Sequence, residues 1–318
     1  MAINLKMPPL FITKGIIMAI SPAAESPSMF TDFLDTVLPR NPVTKNREFR
    51  LVPESVEIAL GSALYGRMVN SEGGEYSRRN YSTLVADVGQ KLAERSDRAE
   101  LPFQFTVIDS SVVNAWCLPG GKVAFYRGLI EKMDQENDDF GVGHFTLEEK
   151  VAAVMGHEIT HATARHSAKS LEFGAFITVV LATIRYALRS FVQKNELADE
   201  HGRLSVEQQN NQSMVQLAKF VDSFFGVFYD AVKGMIVSCS GREREFEADK
   251  YGMVYLKRAG YRPEAAIWLQ EFFAKQQPKS ESGFVHWVTH LFSTHPHAED
   301  RAAQNRETLK EINAGTLV

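Results

Sequence analysis

The chain reads as an α+β domain, mainly α-helical, with one small sheet of three or four strands. Three observations predict it. Apolar residues recur at helical spacing through most long segments, as with Leu84, Val85, Val88 and Leu92 within 81–98. Strand-like patterning is confined to one short section, 103–126, rich in Phe, Thr and Val. The composition, 44% hydrophobic with a formal net charge of −4 over 318 residues, is that of a globular chain able to bury a sizeable core. The near-neutral balance offers no basic face, so no nucleic-acid partner is expected. Two cysteines, Cys117 and Cys239, are too few for a disulfide framework.

Residues 1–40 stand apart as an N-terminal targeting segment or a disordered lead-in. Within 1–24, Lys6 and Lys14 occur without an acidic residue, and the apolar run Gly15 to Ile20 leads to Ser21-Pro22-Ala23-Ala24. That is a weak copy of an export signal. Residues 41–318 are expected to form the folded domain. Val52-Pro53-Glu54-Ser55 opens its first helix, with Pro53 suited to the first helical position. A loop over 70–80 precedes the helix at 81–98. Strands are expected at 103–108, 112–116 and 122–126, with Pro119-Gly120-Gly121 as the turn between the last two. The acidic stretch Asp134 to Asp139 closes this section as a loop.

Thr146-Leu147-Glu148-Glu149 reads as a helix N-cap with an acidic first turn, opening a helix to about Lys169. Two apolar stretches follow, 173–192 and 220–237. Arg185 and Arg189 interrupt the first, and Asp222, Asp230 and Lys233 the second. Both fit amphipathic helices better than spans, either packed in the core or resting on a membrane surface. The polar segment 193–213 is a loop between them. Helices are expected again at 241–258 and 261–276. A last one runs to about Ile312 after the cap Ser293-Thr294-His295-Pro296.

The chemistry concentrates in the helix opened by Thr146. His157 and His161 are four residues apart and so share one helix face. Two imidazoles so placed can reach one metal ion. Glu158, about 100° around the helix, can reach a water at that metal without binding it. This is the H-E-x-x-H arrangement of zinc peptidases. A hydrolytic zinc takes three protein ligands and keeps one position for water. A third ligand of the metzincin kind needs Gly at position 164 and His at 167, where the chain has Ala164 and Ser167. A glutamate some twenty residues on is also missing, since Thr178 to Arg185 holds no acid. The best candidate is Glu245, four residues before Asp249 on another helix. Asp249 could then accept the N–H of a ligand histidine. Glu196 and Glu200 are weaker alternatives in the polar loop.

With these residues in view, the chain resembles the M48 family of zinc metallopeptidases, most of all its BepA-like periplasmic and mitochondrial inner-membrane quality-control members. The resemblance rests on His157-Glu158-Ile159-Thr160-His161 with Ala164-Arg165-His166, and on Glu245-Phe246-Glu247-Ala248-Asp249. Asn114-Ala115-Trp116 with Leu118-Pro119-Gly120-Gly121, Ser293-Thr294-His295-Pro296 with Arg301, and Asn41-Pro42-Val43-Thr44 with Glu57-Ile58-Ala59-Leu60-Gly61 complete it. Together they cover roughly 41–310 in order. Lys45-Asn46 and Cys117 depart from the family pattern.

The resemblance implies a zincin-like fold and one Zn²⁺ per chain, held by His157, His161 and Glu245. Glu158 would be the general base toward water at the metal, and Asp249 would orient a ligand histidine. His295 and Arg301 are candidates for stabilising the oxyanion, or else a helix cap and a surface ion pair. Asn114 and Ala115 are candidates for holding the backbone of a polypeptide substrate, and the strand at 122–126 would be a sheet edge that such a peptide could join. The implied function is internal cleavage of unfolded or membrane-associated proteins in quality control. The implied place is the periplasmic side of a cell envelope or a membrane surface, with the mitochondrial intermembrane side or the cytoplasm as alternatives. The stretches 173–192 and 220–237 are the candidate lipid contacts. A rival reading is a chaperone-like assembly factor with a largely plugged, slow site. A closed four-ligand metal-storage site is a third.

Overall fold

The computed structural model describes residues 35, 38–48, 50, 52–170, 172, 241–276 and 298–318. The two apolar stretches, the loop between them, residues 1–24 and His295 lie outside the described residues. The chain divides into two compact units, residues 1–41 with 45–50, and residues 42–44 with 51–318. In the first, Arg47 pairs with Asp35 at 2.6 Å and Asn41 donates from Nδ2 to the Glu48 carboxylate. All elements named below belong to the second.

Its order is α1 (Glu54–Ser71), α2 (Arg79–Ala93), β1 (Gln104–Ile108), β2 (Ala115–Leu118), β3 (Lys122–Tyr126), α3 (Arg127–Gln135), α4 (Leu147–Thr163), α5 (Arg242–Arg258), α6 (Glu264–Gln276) and α7 (Ala298–Asn313). The fold is α+β with a three-stranded mixed sheet. Helix α3 was not foreseen. Its Leu129, Ile130 and Met133 are buried at helical spacing, and the helix takes the first two residues of the expected acidic loop.

The sheet order is β1-β3-β2, with β3 parallel to β1 and antiparallel to β2. Strand β3 is therefore central, which corrects the expectation of an edge at 122–126. All five of its residues are buried, so its pattern is nearly continuous rather than alternating. Val123 and Phe125 face the main core, while Ala124 and Tyr126 face Tyr65 and Val69 of α1. The outer side of β1 is bridged at Glu75, and Tyr76 N–H donates to the Val107 carbonyl. Among the described residues, no strand pairs with the outer edge of β2. Gly120 and Gly121, both at positive φ, make the tight turn from β2 to β3.

Helix α4 is central to the second unit. Every residue from Lys150 to Thr163 is buried, and α2, α3, α5, α6 and the sheet all touch it. That explains why its sequence is apolar all round rather than striped. Even Lys150 is accommodated. Its ammonium donates to the Met133 and Glu136 carbonyls at the C-terminal end of α3, where a cation is favoured.

Candidate metal centre

Helix α4 begins with a complete capping box. Thr146 Oγ1 accepts from the Glu149 N–H at 3.2 Å, and the Glu149 carboxylate accepts from the Thr146 N–H at 2.9 Å. Arg262 holds Glu149 from the other side at 2.6 Å. The Arg262 guanidinium lowers the Glu149 pKa to about 2, against burial, which raises it, and with help from Thr146.

Two turns on, α4 crosses α5 in backbone contact. A methyl group built on Gly252 would come 2.9 Å from the Gly156 carbonyl carbon and 3.0 Å from the His157 nitrogen. Only paired glycines permit that approach, and it delivers the α5 carboxylates to the α4 histidines. His157 Nε2 lies 3.0 Å from His161 Nε2, and the two Glu245 oxygens divide between them, Oε2 at 3.4 Å from His157 Nε2 and Oε1 at 3.4 Å from His161 Nε2. The three side chains are buried and offer ligand atoms within 4.8 Å of one another.

These donors fit a zinc ion. Bonds of about 2.0–2.1 Å at tetrahedral angles separate ligand atoms by roughly 3.3 Å. The two nitrogens stand 3.0 Å apart, and each has its own Glu245 oxygen at 3.4 Å. The electrostatics agree. Burial and the Arg301 charge press the His157 pKa down, but Asp249 and Glu245 outweigh them and hold it up to about 9. That surrounding favours a cation at Nε2, whether a proton or a metal ion.

Around the triangle the side chains interlock. His157 Nδ1 lies 2.9 Å from Asp249 Oδ1, which leaves Nε2 for the metal position. Asp249 also receives Nε and Nη2 of Arg301, each at 2.7 Å, and Gln270 Nε2 at 3.3 Å. Burial raises the Asp249 pKa, and Arg301 more than reverses that. A third nitrogen of Arg301, Nη1, meets Glu245 at 2.9 Å. Arg301 is thus a clamp on the two α5 carboxylates. His161 Nδ1 lies 2.8 Å from Nδ1 of His166, whose Nε2 lies 3.0 Å from Glu247. Burial lowers the pKa of His166 despite Glu247. Burial raises that of Glu247, and its bond to His166 brings it below the usual range.

Glu158 is 2% exposed and stands with His157 and Arg301 on one cavity, walled by Ala115, Leu269 and Phe273. The structure therefore brings together His157, Glu158, His161, Glu245, Asp249, Arg301 and Ala115. Asn114 is buried one residue away, its carbonyl bonded to the Tyr126 N–H. Reasoning from sequence missed the part played by His166, Glu247 and Gln270, and by the glycine pair.

Residues 81–309 match Peptidase family M48. The chain belongs to this family. Mitochondrial metalloendopeptidase OMA1 of Schizosaccharomyces pombe is 26% identical over 275 residues, covering 85% of this chain and 66% of that protein. The beta-barrel assembly-enhancing protease of Yersinia pestis is 24% identical over 261 residues, 80% of this chain and 44% of the relative. Mitochondrial metalloendopeptidase OMA1 of Arabidopsis thaliana is 25% identical over 202 residues, 64% of this chain and 30% of the relative. The chain thus spans less than half of the Yersinia and Arabidopsis proteins and about two thirds of the yeast one. The M48 match runs from within α2 to within α7, and so takes in every side chain of the triangle and its surroundings.

Proposed function

We propose that this M48 chain is a zinc-dependent metalloendopeptidase that cuts internal bonds of unfolded or membrane-associated polypeptides in protein quality control. The observation that carries the reading is the buried triangle of His157, His161 and Glu245, with the carboxylate of Glu158 on the adjoining cavity. Zinc, when bound, brings the pKa of a water in its open position toward neutrality and polarises a carbonyl. Glu158 takes the proton of the attacking water and carries it to the leaving amine. Arg301 holds Glu245 and Asp249 in place. A remaining N–H at its Nη1 is the candidate donor to the oxyanion. His295 keeps its candidate role there.

The sheet register suggests how a substrate is held. Asn114 accepts from Tyr126, so alternation turns the N–H and C=O of Ala115 to the outer edge of β2. Ala115 also lines the cavity. An extended peptide pairing there lies beside Glu158, and Asn114 acts by fixing the strand. The names of its relatives, one a mitochondrial metalloendopeptidase and one a beta-barrel assembly-enhancing protease, are what support placing the work at an envelope or mitochondrial surface. Among the described residues no helix is long and apolar enough to cross a membrane. Contact with lipid through 173–192 and 220–237 belongs to this proposal.

Zinc content and casein digestion, measured together, test it. The wild type is expected to hold about one zinc per chain and to cleave. Glu158→Gln keeps the metal and loses cleavage, and Glu245→Ala loses both. Zinc retained by Glu245→Ala would remove Glu245 from the ligand set. One observation favours the slow, chaperone-like alternative: the donors and Glu158 are only 1–5% exposed, so a peptide needs an opening motion to reach them. Zinc bound without caseinolysis by the intact wild type selects that alternative.

A further inference from the structure

Past Thr163, the metal helix does not continue. Ala164 and Arg165 form a turn, Arg165 at a φ of +62°, and helical residues resume at His166. In an unbroken helix His166, five positions after His161, would point about 140° away from it. The break instead brings their Nδ1 atoms to 2.8 Å, with ring centroids 4.9 Å apart. His166 is buried, and on its far side Nε2 meets Glu247 Oε1 at 3.0 Å. The left-handed backbone of Arg165 costs of order 1 kcal/mol or more and persists because its side chain is tied down. Its guanidinium donates to Glu57, to the Val52 carbonyl and to Glu172.

Hydrogen bonding decides the protons along this line. Glu247, a carboxylate, only accepts, so His166 carries its proton on Nε2 and presents a lone pair at Nδ1. That lone pair can be satisfied only by a proton on Nδ1 of His161. His161 is then left with its lone pair on Nε2, the atom facing His157 and Glu245. We infer that Glu247 and His166 form a relay that fixes the tautomer and ring orientation of the ligand His161. They serve His161 as Asp249 serves His157, with a histidine interposed between carboxylate and ligand. Both are positioning residues. The inference rests on the metal reading of the triangle.

The test uses the full-length zinc-loaded protein, labelled with ¹⁵N-histidine, and zinc affinity by chelator competition. The long-range ¹H–¹⁵N spectrum of the wild type is expected to show His166 neutral with its proton on Nε2, and His161 metallated at Nε2 with its proton on Nδ1. His166→Leu removes the acceptor and is expected to weaken zinc binding about ten- to a hundredfold. His166→Asn, whose side-chain oxygen falls near the place of Nδ1, is expected to restore most of it. A His166 protonated on Nδ1 in the zinc-loaded wild type overturns the relay without recourse to any variant. So does equal affinity in wild type and His166→Leu, or equal loss in the Leu and Asn variants. A wild type that binds no zinc overturns the metal reading and the relay together. Zinc held alike by wild type and His166→Leu overturns the relay alone.

Discussion

At the scale of single residues, each group around the triangle fixes another. Asp249 is the most heavily committed, since it receives His157, Gln270 and two nitrogens of Arg301 at once. Asp249→Ala leaves a buried guanidinium facing no carboxylate at that position. A loss of about 3–5 kcal/mol in stability is expected, read by urea unfolding. Zinc affinity should fall about ten- to a hundredfold, because His157 loses the acceptor that turns Nε2 to the metal. Affinity within twofold of the wild type would show that Asp249 does not orient the ligand. The histidine pair and Glu158 were legible in the sequence because their geometry is local to one helix. Glu245 and Asp249 were legible as an i,i+4 pair once a third ligand was sought. His166 was not. Its place depends on a helix break stabilised from Glu57 and Glu172, and no local pattern encodes that. Arg301 reads from the sequence as an oxyanion candidate or a surface ion pair; the structure shows it buried and paired with the α5 carboxylates Glu245 and Asp249.

At the scale of elements, the centre depends on how closely α4 and α5 approach and on how firmly α4 begins. Gly252→Ala sets a methyl against the backbone of Gly156 and His157, so the helices must separate. That should cost about 1–3 kcal/mol and weaken metal binding by moving Glu245 away from the histidines. Gly66→Ala is the matched control. It meets nothing within 4 Å on an exposed helix face and should raise stability by roughly 0.5–1 kcal/mol. If the two variants lower stability alike, the close approach is not the cause.

The start of α4 carries a pH dependence. Glu149 has its pKa depressed from an ordinary 4.5 to about 2, chiefly by Arg262. A depressed carboxylate stabilises the fold above its unfolded value, and that contribution fades as pH falls from 4.5 toward 2. Chelator-treated wild type should therefore unfold later than Arg262→Gln at pH 6, with the gap closing across that window. A gap independent of pH would count against the ion pair. Among the elements, β1 and β3 were readable, β2 lies at Ala115–Leu118 rather than 112–116, and the strand order was not readable. The strand at 122–126 reads as an edge in the sequence, and the parallel pairing with β1 places β3 in the middle.

Over the whole molecule, one buried ion cluster ties α1 to the far end of the metal helix. Glu57 accepts from Arg98 through one oxygen and from Arg165 through the other, each at 3.0 Å, and all three side chains are buried. Arg98 also donates to the Ala162 carbonyl at 3.2 Å, beside His161, and to Glu54. In sequence these charges look like ordinary solvent-facing residues, because nothing local says that α1 will cover them. Burying them is expensive, and the return is positional: the cluster holds the turn at Arg165 and hence the seat of His166. Glu57→Ala leaves two buried guanidiniums without their shared carboxylate and should cost about 3–5 kcal/mol. Glu57→Gln keeps the shape and one acceptor oxygen and should cost less. Zinc affinity should fall in the same order, although Glu57 touches no ligand. If urea unfolding shows the stability loss while zinc affinity stays at the wild-type value in both variants, the cluster serves only to attach α1. If affinity falls with stability, the fold carries its clamp on α4 outside the triangle, and the geometry at His161 is set in part from α1.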